Sequence, residues 1–310
     1  MDKPGVGDGW NGHGDGGSVK MRRFAYEKPG HTGDALSAMG EGAALLAGGT
    51  DLLVAMKAGR VAVDRVVDLG GIAGMDRITF GGGIRIGALA TIREIECSEE
   101  LRRRVPLLPE AAATVASVQI RNRATIGGNL CNASPASDMS VALLATGCRV
   151  KAISMEGIRT VGIADLFTGP GRTVLGGREI LTEVVLPEGI ERRKGIFLKL
   201  GQRRAMEISI VNMALCAEME EGSGVCREIR IAMGAVAPTP MRARKAEAYL
   251  AGTAPDERRI ARAVEIAAEE CSPITDLRAS ADYRRDMVAV LAKRGINALL
   301  AGGKVPAGGR

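Results

Sequence analysis

The chain is poor in aromatic residues and in histidine. Phenylalanine, tyrosine and tryptophan make up 3% of its 310 residues, and only two histidines occur. A surface that stacks nucleic-acid bases needs more aromatic rings than this, and a Ser–His–Asp site needs a histidine placed beside a serine. The scarcity of both residue types argues against these two classes of protein.

Long apolar runs and close cysteine pairs are absent as well. No stretch of about eighteen apolar residues occurs, so the sequence predicts no membrane span. Iron–sulfur and structural zinc sites use cysteines or histidines that lie close together, usually as C-x-x-C pairs. The six cysteines form no such pair and are spread over positions 97, 131, 148, 216, 226 and 271. We therefore expect no metal ligands in this chain.

The formal net charge of +6 raises the question of a polyanionic partner. The basic residues fall in scattered clusters, such as residues 102–104 and 192–194, and most are interleaved with acidic residues. This pattern is typical of solvated helix faces and does not predict a nucleic-acid partner. A modest positive field also suits a pyrophosphate cofactor or an anionic partner surface.

Glycine, in contrast, is abundant, and two glycine runs about eighty residues apart are the most informative feature of the sequence. The first, Gly48-Gly49-Thr50, follows an apolar stretch and precedes another, which predicts a strand, a tight turn and a helix. The second is Thr125-Ile126-Gly127-Gly128-Asn129, which we also interpret as a turn. Glycine N–H groups can approach an anion because no Cβ stands in the way. Two such turns predict the binding of two phosphates.

Each run taken alone could be a simple hairpin turn, because 42 glycines produce such pairs by chance, as at Gly70-Gly71 and Gly176-Gly177. The carboxylate of Asp138, which follows the second run, adds a plausible acceptor for a ribose hydroxyl. Asp138 could equally be the N-cap of the helix that follows it, and both roles are compatible. The two runs and Asp138 together favour a nucleotide site.

The runs AGGTDLL and ATIGGNLCNASPASD resemble those of the FAD-binding medium subunit of the molybdenum hydroxylases. That family includes xanthine, carbon monoxide, nicotinate and quinoline dehydrogenases. The resemblance extends over residues 21–300, roughly the whole chain, and five further runs carry it: Glu179–Leu181, Phe197–Lys199, Arg203–Val211, Met233–Pro240 and Ser280–Arg284.

The resemblance implies an α+β fold in two domains. A two-lobed FAD-binding domain of the PCMH/vanillyl-alcohol-oxidase type would occupy residues 21–190. A smaller C-terminal α+β domain, an antiparallel sheet with helices, would occupy residues 191–300. A Rossmann fold is not expected, because no G-x-G-x-x-G run follows a strand. We expect residues 1–20 to be a disordered leader and residues 301–310 to be a flexible tail.

Hydrophobic periodicity predicts the main elements within these domains. We expect helices over residues 32–40, over 107–118 and from 137 to 145. Amphipathic patterns around Ile260 and Tyr283 predict two closing helices. Strands are expected over residues 42–47, 148–153, 180–186, 195–200, 208–219 and 229–236.

The resemblance also implies which residues hold the cofactor, FAD. Asp138 would accept a ribose or ribityl hydroxyl, and Lys199 would lie near the flavin ring or a phosphate. Leu181 matches a flavin contact but could equally be plain core. Thr50 stands where a histidyl-linked flavin would need its histidine, so the cofactor is expected to be non-covalent. The implied contacts are Leu45, Leu46, Ala47, Gly48, Gly49, Thr50, Asp51, Leu52, Thr125, Ile126, Gly127, Gly128, Asn129, Asp138, Leu181 and Lys199.

The family resemblance implies an electron-transfer subunit with no catalytic side chain of its own. It would accept electrons from an iron–sulfur subunit, in a cytoplasmic heterotrimer with a molybdopterin-binding large subunit, and pass them to NAD or another acceptor. A cytoplasmic location is expected because no apolar segment follows Arg22-Arg23. Two alternatives stay open: a stand-alone FAD-dependent oxidase or reductase of the same fold, and a scaffold protein without flavin.

Overall fold

The computed structural model describes residues 21–203 and 205–301, and it has the expected α+β architecture. The expected leader lies outside the described residues, as does the expected tail apart from Ala301. The proposed division near residue 190 remains a prediction. Each of the two parts is built around sheets that pack against helices.

A small parallel sheet comes first. Its strand order is β1-β3-β2, with both neighbouring pairs parallel. Parallel neighbours need crossover connections, and here helices supply them. The strands are β1 (Ala25–Glu27), β2 (Ala43–Leu46) and β3 (Arg65–Asp68), and the helices are α1 (Thr32–Ala38) and α2 (Leu52–Lys57).

The second sheet is larger and antiparallel throughout. It consists, in spatial order, of β4 (Ile78–Thr79), β5 (Arg85–Gly87), β10 (Ile180–Val185), β6 (Arg149–Ser154) and β7 (Gly157–Gly162). A short hairpin lies beside it, made of β8 (Phe167–Gly169) and β9 (Arg172–Thr173).

Seven helices follow or interrupt the strands of this sheet, and one of them is buried along its whole length. Every residue of α8 (Asp138–Thr146) is buried, because the helix lies between the other elements of the N-terminal part and the sheet of the C-terminal part. The helices are α3 (Ile92–Cys97), α4 (Glu99–Arg104), α5 (Leu107–Ala113), α6 (Val118–Arg121), α7 (Ile126–Asn132), α8 (Asp138–Thr146) and α9 (Ile163–Leu166).

The C-terminal part is a four-stranded antiparallel sheet in sequence order, followed by three helices. The strands are β11 (Lys194–Leu200), β12 (Val211–Met219), β13 (Cys226–Gly234) and β14 (Met241–Arg242). The helices are α10 (Arg244–Leu250), α11 (Glu257–Glu269) and α12 (Ala281–Leu300).

Alternate residues of the C-terminal sheet enter two different cores. Side chains alternate between the two faces of a strand, so a sheet covered on both sides reads as a continuous apolar run. Ala214 and Cys216 join the core shared with α8, whereas Met213 and Leu215 join the core shared with α12. The C-terminal sheet therefore contributes to both cores and connects the two parts.

The predicted elements occur with shifted boundaries. The helix expected over residues 107–118 is wrong at its end: α5 stops at Ala113, and Ala116, at φ 44°, separates it from α6. An L-residue in this left-handed region cannot continue a helix. The strand expected to begin at residue 208 begins at Val211.

Arg284 of α12 donates hydrogen bonds at one end of the C-terminal sheet. Its buried guanidinium donates to the carbonyls of Ile210 and Ala235, at 2.5 and 3.2 Å, and to the Asp276 carboxylate at 2.7 Å. Burial raises the pKa of Asp276, but hydrogen bonds from Arg278 and Arg284 outweigh this effect and lower the pKa to about 2.

We predict a pH-dependent contribution to stability from Asp276. Its folded pKa lies below the unfolded value of about 3.9, so its contribution is complete above about pH 5 and is lost as the pH falls towards 2. Between pH 5 and pH 2, urea unfolding should show wild type losing roughly 2 kcal/mol more than Asp276→Asn. Equal losses in the two proteins would contradict this assignment.

Candidate nucleotide-binding site

The first glycine run lies where β2 ends and α2 begins. Strand β2 stops at Leu46, the chain bends through residues 47–51, and α2 starts at Leu52. The predicted succession of strand, turn and helix is confirmed. Gly49 has φ 75°, a conformation that favours glycine. The run lies beyond the carboxyl ends of parallel strands, where open α/β sheets bind ligands.

The backbone donors of this bend are unused. Among the hydrogen bonds of the described residues, none uses the N–H groups of residues 48–52. These residues are at least partly exposed, so a ligand can reach them. Unpaired backbone N–H groups in a tight bend form an anion-binding concavity. The donor set therefore fits a phosphate or diphosphate.

The second glycine run is not a turn, and that prediction is wrong. Gly127 and Gly128 lie in the first turn of α7, and Thr125 is its N-cap, with its hydroxyl accepting from the Gly128 N–H at 3.1 Å. The Gly127 N–H donates to the carbonyl of Ala88 at 2.8 Å. A Cβ on Gly127 would lie 2.7 Å from that same oxygen, so only glycine fits. The protein itself uses these two amides.

The fold nevertheless brings the two runs together. A Cβ on Gly48 would lie 2.0 Å from the carbonyl oxygen of Arg123, so the backbone before the second run rests directly on the first. At the far side, the Asn132 amide lies 3.4 Å from the Asp51 carboxylate. The predicted pairing of the two runs in one site is consistent with this convergence.

Asp138 does not cap the helix that follows the second run. Ser137 is the N-cap of α8, since its hydroxyl accepts from the Ser140 N–H at 3.1 Å. The interpretation of Asp138 as the cap is therefore wrong. Asp138 is the first helical residue, 6% exposed, and its carboxylate contacts the C-terminal part.

Asp138, Lys199, Ser209 and Asn212 form what we call the polar junction. Lys199 Nζ lies 2.7 Å from Asp138 Oδ2, while the Ser209 hydroxyl and the Asn212 amide donate to Oδ1 at 2.8 and 2.6 Å. Lys199 also donates to the carbonyls of Thr114 and Glu207, at 2.9 and 3.3 Å. A buried ion pair is tolerated when it is hydrogen-bonded in this way.

The fourth acceptor position of the Asp138 carboxylate faces the Thr114 hydroxyl. The Thr114 hydroxyl lies 3.1 Å from Asp138 Oδ2 and 2.8 Å from the carbonyl of Ala111. A hydroxyl has a single proton and donates to one acceptor at a time. When it donates to Ala111, one lone pair of Asp138 Oδ2 receives no proton from Thr114.

The polar junction is linked to the second run through Ser137. The Ser137 hydroxyl lies 2.6 Å from Asn129 Oδ1. Leu181 of β10, in contrast, is 5% exposed and belongs to the core of the N-terminal part. Its expected flavin contact stays a prediction.

Three residues that contact the Asp138–Lys199 pair were missed by sequence reasoning: Thr114, Ser209 and Asn212. Ser209 was visible only as part of a family-like run. Asn212 left a weak signal, as a lone amide in the apolar strand that begins at Val211. Thr114 left none, because its carbonyl rather than its side chain meets the Lys199 ammonium.

Within the described ranges, no group of three or more His, Cys, Asp or Glu side chains could hold a metal ion. Burial raises the pKa of Cys148 to about 12 and that of Cys216 to about 11. These thiols are therefore neutral at pH 7 and chemically inert. No helix in the described part is long and apolar enough to cross a membrane.

Two family models match the sequence. The first, described as the FAD binding domain in molybdopterin dehydrogenase, matches residues 22–189. The second, the CO dehydrogenase flavoprotein C-terminal domain, matches residues 196–299. Together they account for most of the described chain.

Similar proteins cover both parts. The xanthine dehydrogenase FAD-binding subunit of Escherichia coli O157:H7 is 32% identical over 91% of this chain and 98% of its own length. The carbon monoxide dehydrogenase medium chain of Hydrogenophaga pseudoflava is 31% identical over 89% of this chain and 96% of its own length.

Solved structures show the same fold. Carbon monoxide dehydrogenase from Hydrogenophaga pseudoflava, in a form lacking the Mo-pyranopterin moiety, matches with a TM-score of 0.86 and 32% identity over 91% of this chain and 99% of that one. Quinoline 2-oxidoreductase from Pseudomonas putida 86 matches with 0.85 and 28%, over 92% and 99%. The chain therefore belongs to the FAD-binding medium subunits of the molybdenum hydroxylase family.

Proposed function

We propose that FAD lies across the two glycine runs, with its diphosphate on the amides of residues 48–52. The unpaired N–H groups of that bend carry the proposal. Because the backbone of Arg123 rests on Gly48, the segment before the second run lies directly against this bend.

The other expected contacts complete this site. Leu45 to Leu52 would wrap the diphosphate and the adjoining ribityl chain. The second run, Thr125 to Asn129, would contact the cofactor from the other lobe with the groups that its helix leaves free. Asp138 would accept a cofactor hydroxyl, and Leu181 and Lys199 would lie towards the flavin.

We propose that the chain is the electron-output subunit of its complex. FAD, when bound, supplies a carrier that accepts electrons singly or in pairs. Electrons would come from an iron–sulfur subunit beside a molybdopterin-binding large subunit and leave to NAD or another acceptor. The names of relatives support a multi-subunit complex: one is a carbon monoxide dehydrogenase medium chain, and another is subunit alpha of a 6-hydroxypseudooxynicotine dehydrogenase complex.

The first prediction from the proposed function tests the close contact between Gly48 and Arg123. Gly48→Ala drives a methyl group into the Arg123 carbonyl, so it should separate the two runs and weaken FAD binding at least tenfold. Titration of apoprotein with FAD measures this effect. Gly33→Ala is the matched control, because nothing lies within 4 Å of a Cβ there, and it should bind FAD as wild type does. FAD affinity unchanged by Gly48→Ala would refute the proposed site.

The second prediction tests Asp138. If its carboxylate accepts a cofactor hydroxyl, Asp138→Ala should cost FAD binding roughly 1.5–3 kcal/mol, the range for a hydrogen bond to a charged group. Calorimetric titration gives the affinity, and a melting curve gives the stability. Ser280→Ala removes the true N-cap of α12 and should cost about 1 kcal/mol of stability with FAD affinity unchanged. Asp138→Ala also leaves Lys199 unpaired, so its loss of stability will be larger than that of Ser280→Ala. Unchanged FAD affinity in Asp138→Ala would show that the direct contact is wrong.

The third prediction is that the chain alone is catalytically incomplete. Hydroxylation of an organic substrate with water requires a centre that takes two electrons from a C–H bond, and in the proposed complex a partner subunit would supply that metal centre. The chain should therefore reduce artificial dyes with N-heterocycles, purines or aldehydes only when its partner subunits are present. Substrate-dependent dye reduction by the lone, metal-free chain would favour the stand-alone flavoenzyme instead.

A further inference from the structure

Asn212 is a buried amide in an otherwise apolar strand. It is fully buried in β12, and its Nδ2 donates to Asp138 Oδ1 at 2.6 Å and to the carbonyl of Ala136 at 3.2 Å. The opposite orientation of the amide would place its oxygen against both acceptor oxygens, so the nitrogen is the atom that faces them. Its own Oδ1 has no hydrogen-bond partner among the described residues.

The buried Oδ1 of Asn212, which lacks a hydrogen-bond partner within the described part of the chain, lowers the stability of the fold. A buried polar atom without a partner loses its hydration and gains nothing in return. An apolar residue of similar size would avoid that cost within β12. The benefit of Asn212 therefore lies in what its two N–H groups hold, which is the segment of residues 135–138.

The C-terminal part holds this segment at several points. Besides the two bonds from Asn212, the Ala235 N–H donates to the carbonyl of Pro135 at 2.8 Å, and the Ser209 hydroxyl donates to Asp138 at 2.8 Å. Gly234 leaves room for this arrangement, since a Cβ there would lie 2.2 Å from Asn212 Oδ1.

The held segment leads directly to the second glycine run. Ser137 lies between the two residues that Asn212 binds, and its hydroxyl contacts Asn129 Oδ1 at 2.6 Å. A shift of residues 135–138 would therefore move both the carboxylate of Asp138 and the side chain of Asn129. Both side chains belong to the proposed FAD site.

We propose that Asn212 is a positioning residue for the cofactor: from the C-terminal part, it fixes Asp138 and the second glycine run in the geometry that binds FAD. The proposal rests on the proposed function. The two are separable, because wild type that fails to bind FAD refutes the function, whereas a variant that binds FAD normally refutes only the role of Asn212.

The test is FAD titration of the full-length apoprotein, with a melting curve for each variant. Asn212→Ala should raise the Kd for FAD roughly tenfold, as expected when a hydrogen bond to a charged group is lost. Asn212→Asp keeps the shape but places a second carboxylate against Asp138, so it should weaken binding further. The visible circular dichroism of bound FAD should change in both variants, because the cofactor environment changes.

Val288→Ala is the matched control for simple destabilisation. Val288 is fully buried in the core between α12 and the C-terminal sheet, away from the polar junction. It should lower the Tm while leaving the Kd and the dichroism unchanged. An equal rise in Kd in Val288→Ala, or an unchanged Kd in Asn212→Ala, would overturn the proposal.

Ser209→Ala keeps the test decisive if neither Asn212 variant folds. It removes one donor from Asp138 Oδ1 and leaves the amide of Asn212 in place. A smaller rise in Kd, in the same direction, is expected. Wild-type affinity and dichroism in Ser209→Ala would show that the donors to Asp138 Oδ1 do not set the geometry of the FAD site, and would overturn the proposal.

Discussion

The buried ion pair of Asp138 and Lys199 is the interaction on which the arrangement of the two parts depends. Two charges are tolerated away from water only when each is hydrogen-bonded, and removing one partner leaves the other uncompensated. Lys199 also donates hydrogen bonds to the backbone carbonyls of Thr114 and Glu207, which fixes the end of α5 and the loop before β12. Helix α8, buried along its whole length, thus has one defined position between the sheets.

Convergence of the glycine runs follows from close backbone approach. Gly48 admits the Arg123 carbonyl, and Gly127 admits that of Ala88. The bend between β2 and α2 is left with unpaired N–H groups beside this contact, and an anion can satisfy them. In the function that we propose, this anion is the diphosphate of FAD, and the unpaired N–H groups are the donors for it.

Local patterns predicted the local structure. The apolar stretches around Gly48 were sufficient for a strand, a turn and a helix, and periodicity predicted α11 and α12. The helical form of the second run was not foreseen, because two adjacent glycines usually oppose a helix; the Thr125 cap and the contact with Ala88 override that preference. Lys199, Ser209 and Asn212 lie 61 to 74 positions after Asp138 in the chain, and no local pattern indicates such pairings.

The most direct test of the account is an experimental structure of this chain with FAD bound. The account predicts diphosphate oxygens within about 3 Å of backbone nitrogens in residues 48–52, the distance of an N–H···O hydrogen bond. It also predicts a cofactor hydroxyl that donates to the carboxylate of Asp138. A diphosphate bound elsewhere, with the N–H groups of residues 48–52 still unpaired, would contradict it.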